Sequence, residues 1–225
     1  MMPIINIYMM IIIKKQETGM RVSKAQAAAN RERIVEEAAR LFRERGFDGI
    51  GVAALMKQAG LTHGGFYGHF DSKEQLMAEA CDHAINTAGQ GWRDARAPDG
   101  TLAMDTVAGR YLSRAHRDHP GAGCVVAALA NDAPRQSAPV RAAMTGSVRR
   151  LVALVESALP GGRAARKRRQ ALAATAAMVG GLILARAVDD DALSNEFLQA
   201  VAAELPGAHH PEKHPPHSTN PKEPQ

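Results

Sequence analysis

The stretch GVAALMKQAGLTHGGFYGHF, running from Gly51 to Phe70, decides the fold. Val52, Leu55, Met56 and Ala59 recur at the i, i+3, i+4, i+7 spacing of a short amphipathic helix. Gly60 breaks that helix, and Thr62 is of the type that caps a new one. A third short helix is expected from there to about His69. Two short helices joined by a tight glycine-containing turn, with a longer helix before them, describe a helix-turn-helix.

Working outward, Ile34, Val35, Ala38, Leu41 and Phe42 form an apolar stripe within Ser23 to Arg45, opposite Arg33, Glu36, Glu37, Arg40 and Glu44. Gly46 then ends the bracing helix as a left-handed cap would. On the other side, Ser72 with Gln75, and Asp71 with Glu74, fit a capping box, so a fourth helix starts near Lys73 and runs to about Trp92. Ala97-Pro98-Asp99-Gly100 is a break. Beyond it the pattern predicts helices at about 101–118, 122–133, 138–158, 163–188 and 192–205. Ala171 to Val188 is nearly all apolar or small, so it must be buried or shared with a subunit interface. Aromatics are only 4% of the chain against 45% hydrophobic residues overall, and no alternating run of strand length occurs. The expectation is an all-α protein. Residues 1–20 form a mis-started or disordered extension, and 21–92 a helix-turn-helix domain. Residues 93–205 form a helical domain, and 206–225 a disordered Pro/His-rich tail.

The run RERIVEEAARLFRERGFDGIGVAALMKQAGLTHGGFYGHFDSKEQLMAEA resembles the DNA-binding domain of TetR/AcrR-type regulators. The resemblance rests on Arg31, Ile34, Ala38, Leu41, Phe42, Gly46 and Phe47 in the opening. It continues through the Ala59-Gly60-Leu61-Thr62 turn, the Phe66-Tyr67-Gly68-His69-Phe70 end and Ser72-Lys73-Glu74. It implies an N-terminal three-helix DNA-binding domain and a C-terminal helical domain for effector binding and dimerisation. The implied partners are double-stranded operator DNA, a second copy of the chain and a small-molecule effector. A repressor in the cytoplasm is the usual mode. Many relatives carry lysine, threonine and histidine where this chain has His63, Gly65 and Gly68.

In a helix-turn-helix the second helix enters the major groove with its N-terminal residues against base edges. That places Thr62, His63 and Gly64 as base readers, with Gly65 beside them. Phe66 and Phe70, four apart, anchor the segment, leaving Tyr67 and His69 to position phosphates. Lys73 stands in the first turn of a helix, where a cation opposes the dipole; this points to a phosphate partner, a solvated lysine being the alternative. Arg31, with Arg21 and Lys24, forms an arm able to reach phosphates or the minor groove, a solvated charged leader being the alternative. Total charge does not carry this reading. The chain has net charge +5, yet Arg21 to Asp82 holds nine Lys/Arg and nine Asp/Glu.

Cys81 and Cys124 lie too far apart in sequence for metal-ligand spacing and form no disulfide framework, which fits a reducing compartment. Cys124 follows His116 and His119 at a helix start, so it is either a reactive thiol sensing oxidants or electrophiles, or a small packing residue. Trp92, Met104, Tyr111, Cys124, Met144 and Met178 are the candidate lining of an effector pocket, or ordinary core. No phosphate-binding glycine loop, HExxH or G-x-S-x-G occurs, so neither an enzyme nor a cofactor is expected. No functional metal site is expected, although His209, His210, His214 and His217 crowd the tail. The apolar start, Met1 to Ile13, is too short to span a membrane. A helical protein-interaction module is the rival class; it accounts for the C-terminal half but not for GLTHGGFYGHFDSKE.

Overall fold

A computed structural model describes residues 23–207. The expectations for residues 1–20 and for the tail beyond Gly207 lie outside the described residues. Within them the structure is helical, without a strand.

Helix α1 (Lys24–Arg45) starts at Ser23, whose hydroxyl accepts from the Gln26 N–H at 3.1 Å. Its stripe of Ile34, Val35, Ala38, Leu41 and Phe42 is buried. Gly46 ends it at φ 78° and ψ 166°, and its N–H donates to the Phe42 carbonyl. That is a positive-φ conformation open to glycine, but not the left-handed helical cap expected. Helix α2 (Val52–Gln58) follows, and Gly60 turns the chain at φ 71°. The next segment, His63–Gly68, is a 3-10 helix and not an α-helix. Three glycines in six residues give it little helix propensity, so one tight turn is all it forms.

Helix α3 (Lys73–Asp94) carries the chain away from the helix-turn-helix. The Ser72 hydroxyl accepts from the Gln75 N–H at 3.1 Å, while Gln75 Oε1 accepts from the Asp71 N–H at 2.7 Å. Each half of the capping box is thus made, but the return bond lands one residue early. Helix α3 packs on α1 through one part of its surface and on α7 (Ala138–Ala158) through another.

The expected 101–118 helix is divided into α4 (Met104–Tyr111) and α5 (Arg114–Asp118), with Ser113 capping the second through the His116 N–H at 3.1 Å. The expected 122–133 helix contracts to α6 (Val125–Leu129), flanked by 3-10 turns at Pro120–Ala122 and Ala133–Arg135. Proline, glycine and serine at these points favour short turns over continuous helix.

Helices α8 (Ala164–Ala187) and α9 (Asp191–Glu204) close the fold as a packed pair. Asp190 caps α9, accepting from the Ala192 N–H at 2.8 Å and the Leu193 N–H at 3.2 Å. A Cβ added at Gly181 would come within 2.8 Å of Val201, so Gly181 brings α9 close within the same chain. By length and composition α8 could cross a membrane, with mean hydropathy 1.4, but 39% of that window is buried against its neighbours. Buried side chains from Ile34 to Leu205 form one continuous core, so α3 joins the N-terminal and C-terminal halves without a gap.

Candidate nucleic-acid interface

The turn after α2 is built on aromatic rings. Phe66 and Phe70 are buried, and their rings stack at 5.6 Å with 27° between planes. Phe42 of α1 packs against Phe47 at 5.6 Å. With Phe66 turned inward, Tyr67 must turn outward, and it is 69% exposed. The His63 ring meets Tyr67 edge-on at 6.5 Å. Thr62, His63, Gly64 and Tyr67 therefore share an exposed segment, with Gly65 and His69 half-buried beside them. The Thr62 side chain makes no capping hydrogen bond, contrary to its expected role. Its backbone carbonyl instead receives the Gly65 N–H at 3.0 Å.

A Cβ added at Gly64 or Gly68 would meet nothing within 4 Å. At Gly65 it would meet only Thr62 Oγ1 at 3.7 Å and Met56 Cε at 3.8 Å, ordinary contacts. Internal packing does not demand glycine at these three positions.

Two of the expected phosphate contacts have partners inside the protein. Lys73 Nζ donates to the Phe47 carbonyl at 2.6 Å and lies 5.9 Å from the Phe42 ring centre. That carbonyl takes one of the ammonium's three donors and compensates the cation's place in the first helical turn, so the position of Lys73 is explained without a phosphate partner. Arg31 pairs with Glu79 at 2.7 Å and lies 4.6 Å over the Phe70 ring. Arg31 and Lys73 thus brace α1 and α3 around the aromatic cluster.

On the opposite side of α1 lies a cavity of about 1520 Å³, bounded by α1, α3, α4, the 119–124 loop and α7. Trp92, Tyr111 and Cys124 line it. Met104, Met144 and Met178 do not; they are buried at 2%, 5% and 0% exposure and fill the interhelical core. Methionine on a helix face adapts to either role, which is why sequence alone did not separate them.

Around Cys124 the bonding is specific. Its backbone N–H donates to His116 Nε2 at 2.8 Å, while His116 Nδ1–H donates to the Tyr111 carbonyl at 2.7 Å. These partners fix the neutral imidazole tautomer. Burial also holds the His116 pKa below its ordinary value. The Tyr111 hydroxyl is buried beside the Cys124 thiol, without a hydrogen bond of normal geometry, and burial raises its pKa. A Cβ at Gly123 would come within 2.8 Å of the His116 ring. Burial pushes the Cys81 thiol up to about 12.

One link from this wall to the helix-turn-helix had no signal in the sequence. Arg43 of α1 donates through Nε to the Gly121 carbonyl at 2.9 Å, and through Nη2 to the same oxygen. The partners are 78 residues apart, and only the folded chain brings them together. Among the described residues, no group of three or more His, Cys, Asp or Glu could hold a metal ion.

Residues 34–80 match the family model for bacterial regulatory proteins of the tetR family. The HTH-type transcriptional regulator YerO of Bacillus subtilis is 38% identical over 55 residues, covering 24% of this chain and 19% of its own length. The HTH-type transcriptional regulator AcrR of Shigella flexneri is 31% identical over 70 residues, covering 31% of this chain and 33% of its own. The chain thus spans less than two thirds of either relative. The HTH-type transcriptional regulator Rv0196 of Mycobacterium tuberculosis is 28% identical over 191 residues, covering 78% of this chain and 96% of its own. Among solved structures, the reduced form of Escherichia coli NemR superposes with a TM-score of 0.64 at 22% identity, covering 79% of this chain and 95% of that one. AibR in complex with isovaleryl coenzyme A and operator DNA gives 0.55 at 15%, covering 80% of this chain and all of that one. Residues 34–80 thus carry a helix-turn-helix of the tetR-family type, and the chain as a whole has the all-helical fold of TetR/AcrR-type transcriptional regulators and is similar to them.

Proposed function

We propose that the chain is a homodimeric repressor that holds operator DNA through Thr62, His63, Gly64 and Tyr67, and leaves it when a small molecule occupies the cavity beside α1. The observation that carries this reading is the position of α1. One surface of α1 supports the aromatic cluster under Tyr67, and Arg43 on another is tied to the cavity wall at Gly121. A ligand that displaces the 119–124 loop therefore pulls on the helix that carries the reading segment. For a hundredfold loss of DNA affinity the ligand must favour the released state by about 2.7 kcal/mol.

In this reading residues 21–92 form the DNA-binding domain and 93–205 the effector and dimer domain, with α3 as the shared strut. His69, half-buried and next to Phe70, helps set the segment against phosphates, while Gly65 lets its backbone come close. Leu172, Ile183 and Leu184 on α8 and Leu193 on α9 are exposed between 39% and 47%. A second copy covering them supplies the dimer. Such a protein acts in the cytoplasm, where the chromosome lies, without membrane attachment.

A second reading, favoured by the surroundings of Cys124, makes that thiol the sensor. It sits in the cavity wall beside the buried Tyr111 hydroxyl, within the electrostatic reach of Arg43 and Arg186.

The test is selection of DNA from a random pool by the purified protein, followed by a release screen on the selected site. A symmetric site, bound as a dimer and lost on adding a small molecule, supports the proposal. DNA binding without sequence preference opposes it. Release that disappears in Cys124→Ser would transfer the sensing role to the thiol.

A further inference from the structure

Three cavity-lining arginines are held by main-chain carbonyls. Arg43 donates to Gly121, Arg96 Nη1 to the Gly100 carbonyl at 2.8 Å, and Arg110 Nη1 to the Gly91 carbonyl at 3.0 Å. A carbonyl orients a guanidinium without cancelling its charge. Two carboxylates of the same wall, Glu37 and Glu44, are clasped by Arg40 at 2.7 and 3.0 Å. Asp118 is clasped by Arg117 at 2.6 Å. Glu36 stands at the exposed α1 rim, and Arg150 lies 3.9 Å from Asp82.

Arg43 presents a further anomaly. Its Nη1 is buried and has no hydrogen-bond partner. A buried donor left unpaired is destabilising, and more so on a charged group. The Tyr111 hydroxyl in the same wall is a second buried donor without a normal partner. Apolar surface lies close by, from Ala84, Ile85 and Trp92 of α3 and Leu151 and Leu154 of α7. The Arg110 guanidinium stacks 5.1 Å from the Trp92 ring centre.

We propose that the cavity takes an organic anion with an apolar body, its acidic head held by Arg96 and Arg110 at the mouth, its body along the α3–α7 wall toward Arg43. This rests on the reading of the cavity as the effector site. Planar guanidinium groups match carboxylate and phosphate oxygens, so both head groups fit. The volume accommodates a body of drug size or larger.

Trp92 is the sole tryptophan of the chain, so its fluorescence reports on the cavity directly. The full-length protein is titrated with decanoate, decyl phosphate, decanol and decylammonium, each below its critical micelle concentration. The expected result is saturable change in Trp92 emission with decanoate, decyl phosphate or both. Decanol and decylammonium should bind at least tenfold more weakly. The double variant Arg96→Gln/Arg110→Gln should lose at least tenfold in anion affinity while keeping its helical circular dichroism. The arm that binds more tightly tells a carboxylate head from a phosphate head. Equal binding of decanol, preference for decylammonium, or no saturable response to either anion would overturn the proposal. The broader effector reading is judged apart, by whether any compound releases selected DNA. Release by a neutral or cationic compound would end the anion proposal and leave that reading standing.

Discussion

Tyr67 stands outward because Phe66 and Phe70, its neighbours in the turn, are buried. Its removal should leave the fold alone. Tyr67→Ala should change stability by no more than about 0.5 kcal/mol. It should weaken binding to all DNA sequences by about tenfold, as loss of a hydrogen bond to a charged phosphate would. Competition between several DNA sites measures this, and a loss confined to one sequence would make Tyr67 a base reader. The cysteines divide the same way by surroundings. Cys81 is buried, with its thiol pushed up to about 12, whereas Cys124 is half-buried in the cavity wall. Native protein at pH 8 should take up one equivalent of iodoacetamide, at Cys124, and two after denaturation; mass spectrometry of the peptides settles it. His116 adds a pH dependence. Its folded pKa is depressed by burial, so between that value and about 6.5 the unfolded chain binds more protons than the folded one. Its contribution to stability is complete above about 6.5 and falls away as pH drops toward the folded value. Urea midpoints should therefore fall on acidification from pH 7 to 5.5, and His116→Gln should flatten that part of the profile. The groups facing the ring are Tyr111, the Cys124 amide and Arg186.

At the scale of elements, the 3-10 turn of His63–Gly68 concentrates the question of recognition. No neighbour forbids a side chain at Gly64 or Gly68, so an alanine there fits the folded protein. Gly64→Ala and Gly68→Ala should hold or raise stability, by up to about 1 kcal/mol each. If the segment meets the duplex with its backbone, the same changes should lower DNA affinity at least fivefold. Thermal melting and DNA titration of the same samples compare the two effects, and unchanged affinity would remove the close-approach role. Much of this architecture was legible in the chain. The stripe of Ile34, Leu41 and Phe42 gave α1, and the Phe66–Phe70 spacing gave the inward face of the turn. The 138–158 helix emerged with the expected limits. What escaped was non-local. Lys73 looks unpartnered in sequence because the Phe47 carbonyl that holds it lies 26 residues away. Met104, Met144 and Met178 resemble pocket residues in sequence because core and lining share one periodicity. The division between α4 and α5 follows from Ser113 capping the second helix. A hydroxyl can cap a new turn or sit within a helix, and local pattern alone does not decide between them.

Over the whole molecule, α1 and α3 connect the outward turn that carries Tyr67 to a charged cavity, while α8 presents exposed leucine and isoleucine. Leu184→Glu places a charge on that apolar surface without disturbing the core, since Leu184 is 47% exposed. Sedimentation should show the wild type as a dimer and Leu184→Glu shifted toward monomer, with DNA affinity down at least a hundredfold as one half-site is lost. A fully dimeric variant would move the interface elsewhere. The central claim is that the segment from Thr62 to Phe70 lies in the groove of DNA, once per subunit. Affinity cleavage tests it most directly. An iron chelate attached to a cysteine at position 63, in a chain carrying Cys81→Ala and Cys124→Ser, cuts DNA wherever that position rests. The account predicts two cleavage loci related by the symmetry of the selected site and about 34 Å apart. Cleavage that is absent, scattered along the duplex, or no different from that of a chelate placed at exposed Arg163 would contradict it.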